Sequence, residues 1–286
     1  MPQSANVTAS IRRYYEQNTR LFLAIGQPPT DTIHRALWAP GVDTATRALN
    51  YSNELLLAEA QALRQRDQPS PLRLADLGCG VGGSLFYLLT RLPAPTLGVG
   101  CTLSPVQARL ALGRGRQLDP ALRCLFVEAD FQAAPLPTGF DLAYSVEAFV
   151  HAVEPSRYLG EARRLLRPGG RLMLIDDFLA PASSAEAAAW VAAYQAGWHA
   201  PNLRRVAEVA ALAQTHGLSL IADRDLTPLL RLRALPDALA RAVLAAGRRL
   251  PVRHAILPSL LGSLALQQCL RDGLIVYRAL VFERDR

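Results

Sequence analysis

The chain has 286 residues, half of them apolar, and a formal net charge of +7. That length suits one large domain, or one domain with an accessory cap, and the apolar fraction excludes disorder. No apolar run approaches the roughly 18 uninterrupted residues of a membrane span, and the N-terminal "MPQSANVTASIRRYY" lacks the apolar stretch of a secretory leader, so a cytoplasmic location is expected.

All 31 basic residues are arginines. Two readings of this stand: coding preference in an Ala- and Leu-rich chain, or an anionic partner, since guanidinium matches phosphate geometry. The basic residues are dispersed without a recognition motif, so no nucleic-acid partner is expected. The four cysteines, Cys79, Cys101, Cys124 and Cys269, have neither CxxC spacing nor a neighbouring His cluster. They read as reduced core or loop residues, with no metal site.

In chain order, residues 1 to about 70 are helical in pattern and interrupted by "GQPPTD". From Leu72 to about Pro181, the β-type runs "LRLADLG", "TLGVGCTL", "CLFVEAD", "DLAYSV" and "RLMLIDDF" alternate with connections long enough for crossover helices. That rhythm predicts a parallel sheet covered on both faces. The helix "RVAEVAALAQTHG" ends on Gly217, and the strands "LSLIADRDL" and "LIVYRALVFER" follow. Residues 182–203 carry Trp190, Tyr194, Trp198 and Pro201, and 228–272 read as helices broken at Pro236, Pro251 and Pro258. The expected organisation is a helical cap or lid over 1–70 and a core over 71–286, with cap insertions at about 182–203 and 228–272.

Gly78, Gly80 and Gly83 in "LADLGCGVGGSL" satisfy G-x-G-x-x-G after a strand, a weak signal alone. Asp76 argues against a dinucleotide. A pyrophosphate at a helix N-terminus wants N–H groups and positive potential, which a carboxylate opposes. The next strand also ends in Thr102, where NAD folds want Asp or Glu. A ligand with an ammonium and a sulfonium suits Asp76, and S-adenosylmethionine is such a ligand; the other reading of Asp76 is a helix cap.

With these residues in place, the stretch from about Leu72 to Phe178 resembles the class I S-adenosylmethionine-dependent methyltransferases. The resemblance implies a Rossmann-like α/β core, seven-stranded and mostly parallel with an antiparallel last strand, under helical caps. Carried onto "GCTLSPVQ", it makes Thr102 and Gln107 the ribose ligands, as in the cyclopropane synthase subgroup with its similar TLSxxQ run. Without it, Thr102 is a β-branched strand residue and Gln107 a helix-surface one. On "VEADFQAAPLP" it assigns Asp130 to the adenine amino group and Phe131 to the ring, against a plain turn aspartate. It further implies donor contacts from Ser145, and from Tyr14 or Tyr15 in a lid helix "IRRYYEQNTRLF".

"SVEAFVHAV" places Glu147 and His151 four apart, on one face if a helix starts after Ser145. Here, and more loosely in "IHRALWAPGV" and "GWHAPNLRRVAEV", the chain resembles small-molecule methyltransferases of the sterol, tocopherol and prenyl-diphosphate kind. Cyclopropane synthases place Glu directly before the His, where this chain has Val150. No Asn/Asp-Pro-Pro-aromatic run supports base flipping.

The expected function is carbon methylation of an apolar, isoprenoid small molecule. Glu147 would then be the base, with Trp190, Tyr194 and Trp198 as aromatic walls for a cation. With a prenyl diphosphate acceptor, some of Arg12, Arg13, Arg35, Arg204, Arg231 and Arg233 would grip it, with Mg2+ implied only in that case. The alternatives are O- or N-methylation with His151 as base, and a cyclase or binding scaffold on the same fold. A homo-oligomer is expected if the N-terminal helices exchange between chains.

Overall fold

The computed structural model describes residues 2–25, 34–117, 123–180, 185–232 and 256–286. Arg233, Pro236, Pro251 and the "GQPPTD" interruption lie outside them. Seven strands form one sheet: β1 (Leu72–Leu77), β2 (Thr96–Thr102), β3 (Arg123–Glu128), β4 (Phe140–Val146), β5 (Leu166–Leu179), β6 (Leu218–Asp225) and β7 (Ile275–Arg284). Their order is β3-β2-β1-β4-β5-β7-β6. The first five pair in parallel, and β7 runs antiparallel to both β5 and β6. The expected Rossmann-like sheet with an antiparallel last strand is therefore present.

The strand sequences explain their places. β4 is buried along its whole length, as a central strand covered on both faces requires. Along β1 and β4, Leu72, Leu74, Leu142 and Tyr144 join one core, while Ala75, Leu77 and Ala143 join the other. Helices α2 (Ala45–Asp67) and α3 (Gly83–Leu89) cover the first face. Helices α5 (Pro155–Leu165) and α7 (Val206–Gln214) cover the second. β6, at the edge, is exposed beyond Ser219.

Helix α4 (Pro105–Gly115) starts at "TLSPVQ" for local reasons: Ser104 caps it by accepting from the Gln107 N–H, and Pro105 takes the first turn. Gln107 is thus fixed next to Thr102, whose hydroxyl donates to its Oε1 at 2.7 Å. Asp76 caps nothing, because α3 is preceded by Gly82 with no side-chain cap bond.

Helix α1 (Pro2–Ile25) is tied to the rest at four points. Tyr14 hydroxyl meets Ser259 Oγ at 2.9 Å, Tyr15 hydroxyl meets His151 Nε2 at 2.7 Å, Ser10 meets His199 at 3.3 Å, and Arg12 pairs with Glu128 at 2.8 Å. Helices α6 (Ala185–Trp198) and α8 (Ile256–Arg271) form a third apolar cluster, with Trp190, Tyr194, Leu203, Ala265 and Cys269 buried in it. Pro258 sits in the first turn of α8 rather than breaking a helix, which its missing N–H allows there. All four cysteines are free.

Helices α6 and α8 touch backbone to backbone. A Cβ on Gly197 would fall 2.5 Å from the Gly262 Cα, and one on Gly262 would fall 2.9 Å from the Gly197 Cα. Gly262→Ala is therefore expected to cost about 1–3 kcal/mol of stability through overpacking, measured by urea unfolding. A change below about 0.5 kcal/mol would show that the helices separate freely.

Candidate active site

The carboxyl ends of β1 to β5 share one edge of the sheet, and the strand order reverses between β1 and β4. Open α/β sheets bind ligands at such a point. A cavity of ≈ 290 Å³ lies there, roofed by Thr8, Ile11 and Tyr15 of α1, Trp198 of α6 and Leu266 of α8.

One half of the cavity is built by the first three strands. Its lining includes Asp76, Gly78, Gly80, Thr102, Gln107, Asp130 and Phe131. Asp76 is buried, and its Oδ2 has no hydrogen-bond partner among the described residues. Burial pushes its carboxyl up to about 7, with the Tyr144 hydroxyl offsetting only part of the shift. A buried, unpartnered carboxylate is costly unless a cation or donor meets it. Gly78 adopts φ +101, and a Cβ there would fall 2.5 Å from that of Ala148, so the turn requires glycine. Gly80, also at positive φ, faces open space. Asp130 accepts from the Gln132 N–H at 2.9 Å and from its side-chain amide, while Phe131 stands edge-on to Tyr158.

The other half is built by β4, β5 and the 3-10 turn Phe149–His151. No α-helix starts after Ser145. The chain leaves β4 through Glu147 at φ +52, a left-handed conformation uncommon for a non-glycine residue, and enters the 3-10 turn. Glu147 and His151 nevertheless line the same cavity. Strained backbone of this kind costs about 1–3 kcal/mol and clusters at functional sites.

Three donors converge on Glu147 Oε1: the Arg35 N–H at 3.0 Å, Arg35 Nε at 3.2 Å and the Tyr277 hydroxyl at 2.9 Å. Oε2 receives none among the described residues. Burial raises the Glu147 carboxyl, but Arg35, then His34 and the hydrogen bonds, outweigh it, so the group sits below its ordinary value. Arg35 also donates to Asp177 Oδ1 at 2.8 Å and stacks its guanidinium 3.9 Å from the Tyr277 ring centre. Tyr194 donates to Asp177 Oδ2 at 2.9 Å. Asp176 accepts the N–H groups of Asp177 and Val150, and burial pushes it up to about 8.

His151 Nδ1 lies 2.9 Å from the His199 carbonyl, which can only accept, so Nδ1 carries the proton. Nε2 then accepts from Tyr15. Burial pushes this imidazole down to about 4, which keeps it neutral.

Of the residues singled out in the sequence, Tyr14, Ser145 and Trp190 lie off the cavity. Tyr14 packs between Ser259, Trp198 and His199. Ser145 bonds the Leu77 carbonyl and the Tyr158 hydroxyl. Trp190 belongs to the cap cluster. Tyr194 and Trp198 line the cavity. His34, Asp176, Asp177 and Tyr277 were not singled out. For the aspartates a signal existed, two adjacent carboxylates closing the apolar run "LMLIDDF".

Comparison with known proteins agrees with this geometry. Residues 75–174 match a family described as a methyltransferase domain. The chain is 32% identical over 171 residues to 24-methylenesterol C-methyltransferase 2 of Oryza sativa subsp. japonica, covering 58% of this chain and 45% of that protein. It is 36% identical over 172 residues to the chloroplastic tocopherol O-methyltransferase of Arabidopsis thaliana, covering 58% and 48%. The chain thus spans about half the length of these relatives. A solved geranyl diphosphate methyltransferase in complex with GPP and sinefungin shares the fold at TM-score 0.71 and 20% identity, covering 98% of this chain and 99% of that one. Among the described residues no helix is long and apolar enough to cross a membrane. Residues 75–174 are thus a match to a methyltransferase domain, set on this strand order with the glycine turn and the unpartnered Asp76 Oδ2 inside it, and the chain is similar to methyltransferases of the sterol, tocopherol and prenyl-diphosphate group.

Proposed function

We propose that the protein transfers the methyl group of S-adenosylmethionine to a carbon atom of an apolar, isoprenoid acceptor. Asp76, Gly78, Gly80, Thr102, Gln107, Asp130 and Phe131 hold the donor in this reading. Asp76 supports it because its buried Oδ2, without a hydrogen-bond partner among the described residues, is open to a cationic ligand. When bound, the donor supplies an electrophilic methyl group. On the protein side, the lid α1 and the caps α6 and α8 exclude water and hold the acceptor in line, an effect worth up to about 7–11 kcal/mol.

The observation that carries carbon transfer is the state of Glu147. Its Oε1 is saturated by Arg35 and Tyr277, its Oε2 is unpartnered, and its carboxyl is held below the ordinary range. Such a carboxylate is too weak a base for an alcohol. It suffices for a carbocation, the species that would be left when alkene π electrons form the new carbon–carbon bond as the methyl–sulfur bond breaks and S-adenosylhomocysteine departs with that bond's electron pair. The adjacent C–H proton then goes to Oε2, and its electron pair restores the double bond. His151 is a poor base as folded, neutral with Nε2 occupied by Tyr15.

The second reading, transfer to oxygen or nitrogen, rests on His151 lining the same cavity. Incubation with the donor and a panel of prenyl alcohols, prenyl diphosphates, sterols and phenols, with NMR of the methylated product, separates the two. Carbon transfer predicts a new C–CH3 signal and His151→Asn activity within about tenfold of wild type. Methyl gain only at oxygen or nitrogen, or loss of activity in His151→Asn of the size expected for a lost base, about 10²–10⁴-fold, sinks it.

A further inference from the structure

The cap that roofs the cavity is joined to Glu147 by a chain of side chains that starts on α6. Tyr194 is 2% exposed, belongs to the apolar cap cluster and also lines the cavity. Its hydroxyl leaves that cluster to donate to Asp177 Oδ2 at 2.9 Å, near the end of β5. Asp177 Oδ1 accepts from Arg35 Nη1 at 2.8 Å, and the same guanidinium reaches Glu147 Oε1 through Nε at 3.2 Å.

Arg35 is thus shared between two carboxylates that compete for it, and it stands nearer to Asp177 than to Glu147. Asp177 is buried, so both of its oxygens need donors. Tyr194 supplies one of them from the cap. With that donor withdrawn, the buried carboxylate draws harder on its remaining cation, and the guanidinium shifts at the expense of Glu147. Arg35 provides two of the three donors on Glu147 Oε1, its backbone N–H and Nε. Glu147 itself sits at φ +52, a strained conformation that persists only where its surroundings over-determine it.

We propose, on the reading that Glu147 is the base, that Tyr194 is a positioning residue for it: the hydroxyl anchors Asp177, Asp177 holds Arg35, and Arg35 fixes Oε1 so that Oε2 is left for the acceptor. Tyr194 takes no part in the chemistry itself. Its helix is part of the cap, so the base is aligned only while α6 is seated on the sheet. Seating the cap and aligning the base are then one event, which keeps methyl transfer from starting in a cavity open to water.

A double-mutant cycle of Tyr194→Phe and Glu147→Gln tests this, read as single-turnover methyl transfer at saturating donor. The acceptors are geraniol, geranyl diphosphate with magnesium, and a sterol bearing a side-chain double bond. Phenylalanine keeps the ring that lines the cavity and removes the hydroxyl alone. The expected result is a rate about 5–50-fold lower in Tyr194→Phe, in the span of couplings within a shared hydrogen-bond network, with donor Kd unchanged. Added to Glu147→Gln, the same change is expected to cause no further fall, because the base it positions is already gone. A merely structural tyrosine lowers both backgrounds alike, so multiplied effects overturn the proposal. A Tyr194→Phe rate within about twofold of wild type, the scatter of independent sites, does the same. Asp177→Asn, one link closer to Arg35, runs through the same cycle and decides it if urea unfolding shows that Tyr194→Phe does not fold. Either of those overturning results beside a slow Glu147→Gln leaves the base reading standing. A Glu147→Gln rate within about threefold of wild type, or no carbon methylation of any of the three acceptors by the wild type, removes the base reading and the positioning role with it.

Discussion

Glu147→Gln is expected to lower kcat by about 10²–10⁴-fold, the usual worth of a placed general base, while donor affinity stays within about threefold. Glutamine keeps the volume and the Oε1 acceptor that Arg35 and Tyr277 bind, so the left-handed turn at Glu147 has the same reasons to persist. What disappears is the basic oxygen. The wild-type carboxyl sits below its ordinary value because Arg35, His34 and the hydrogen bonds from Arg35 and Tyr277 together outweigh burial, so it is ionised across the neutral range and contributes no acid limb to the rate there. Single-turnover methyl transfer across pH 5–8, with donor Kd measured in parallel, checks both statements. A variant rate within threefold of wild type removes Glu147 from the chemistry. An equal fall in donor affinity would instead place it in the donor site.

Much of the fold was legible because the signals are local. The run "LADLGCGVGG" carries a strand, a carboxylate at its end and a turn that only glycine can make at Gly78. In "TLSPVQ" the cap Ser104, Pro105 and the Thr102–Gln107 bond lie within six residues. The candidate catalytic half was less legible because its contacts are long-range. Arg35 and Glu147 stand 112 positions apart, and Tyr15 and His151 stand 136 apart; no periodicity reports such a pair. The expectation of one helical face for Glu147 and His151 failed on backbone conformation. A spacing of four suits an α-helix, but a left-handed residue followed by a 3-10 turn reaches the same cavity by another route. Of the arginines expected to grip a prenyl diphosphate acceptor, Arg12, Arg35, Arg204 and Arg231 have partners far away in the sequence or, for Arg204, in the same loop, that no local pattern reports: carboxylates, an amide oxygen and an indole ring.

Asp76→Asn is expected to weaken donor binding by about 10–150-fold, the range of a lost charged hydrogen bond, about 1.5–3 kcal/mol. The same change is expected to stabilise the unliganded protein at neutral pH, because Asp76 is a buried carboxylate with an unpartnered oxygen. The sign follows from its titration. Its folded value, about 7, lies above the ordinary 3.8, so between these values the folded state holds more protons than the unfolded one. Stability attributable to this group therefore falls as pH rises from about 4 to 7 and is flat above. Asparagine removes that slope, so the stability gap between variant and wild type opens over that window. Donor affinity moves the other way. The ionised form attracts a cation, so wild-type affinity rises from pH 5 to 7, and the rise is absent in the variant. Asp176, pushed up to about 8, and His151, pushed down to about 4, titrate in both proteins and cancel in the difference. Urea unfolding and donor calorimetry at three pH values measure the two opposed trends. Parallel pH profiles in variant and wild type would mean that the Asp76 carboxylate does not meet the donor, and the cation-binding assignment of this strand end would fall with it.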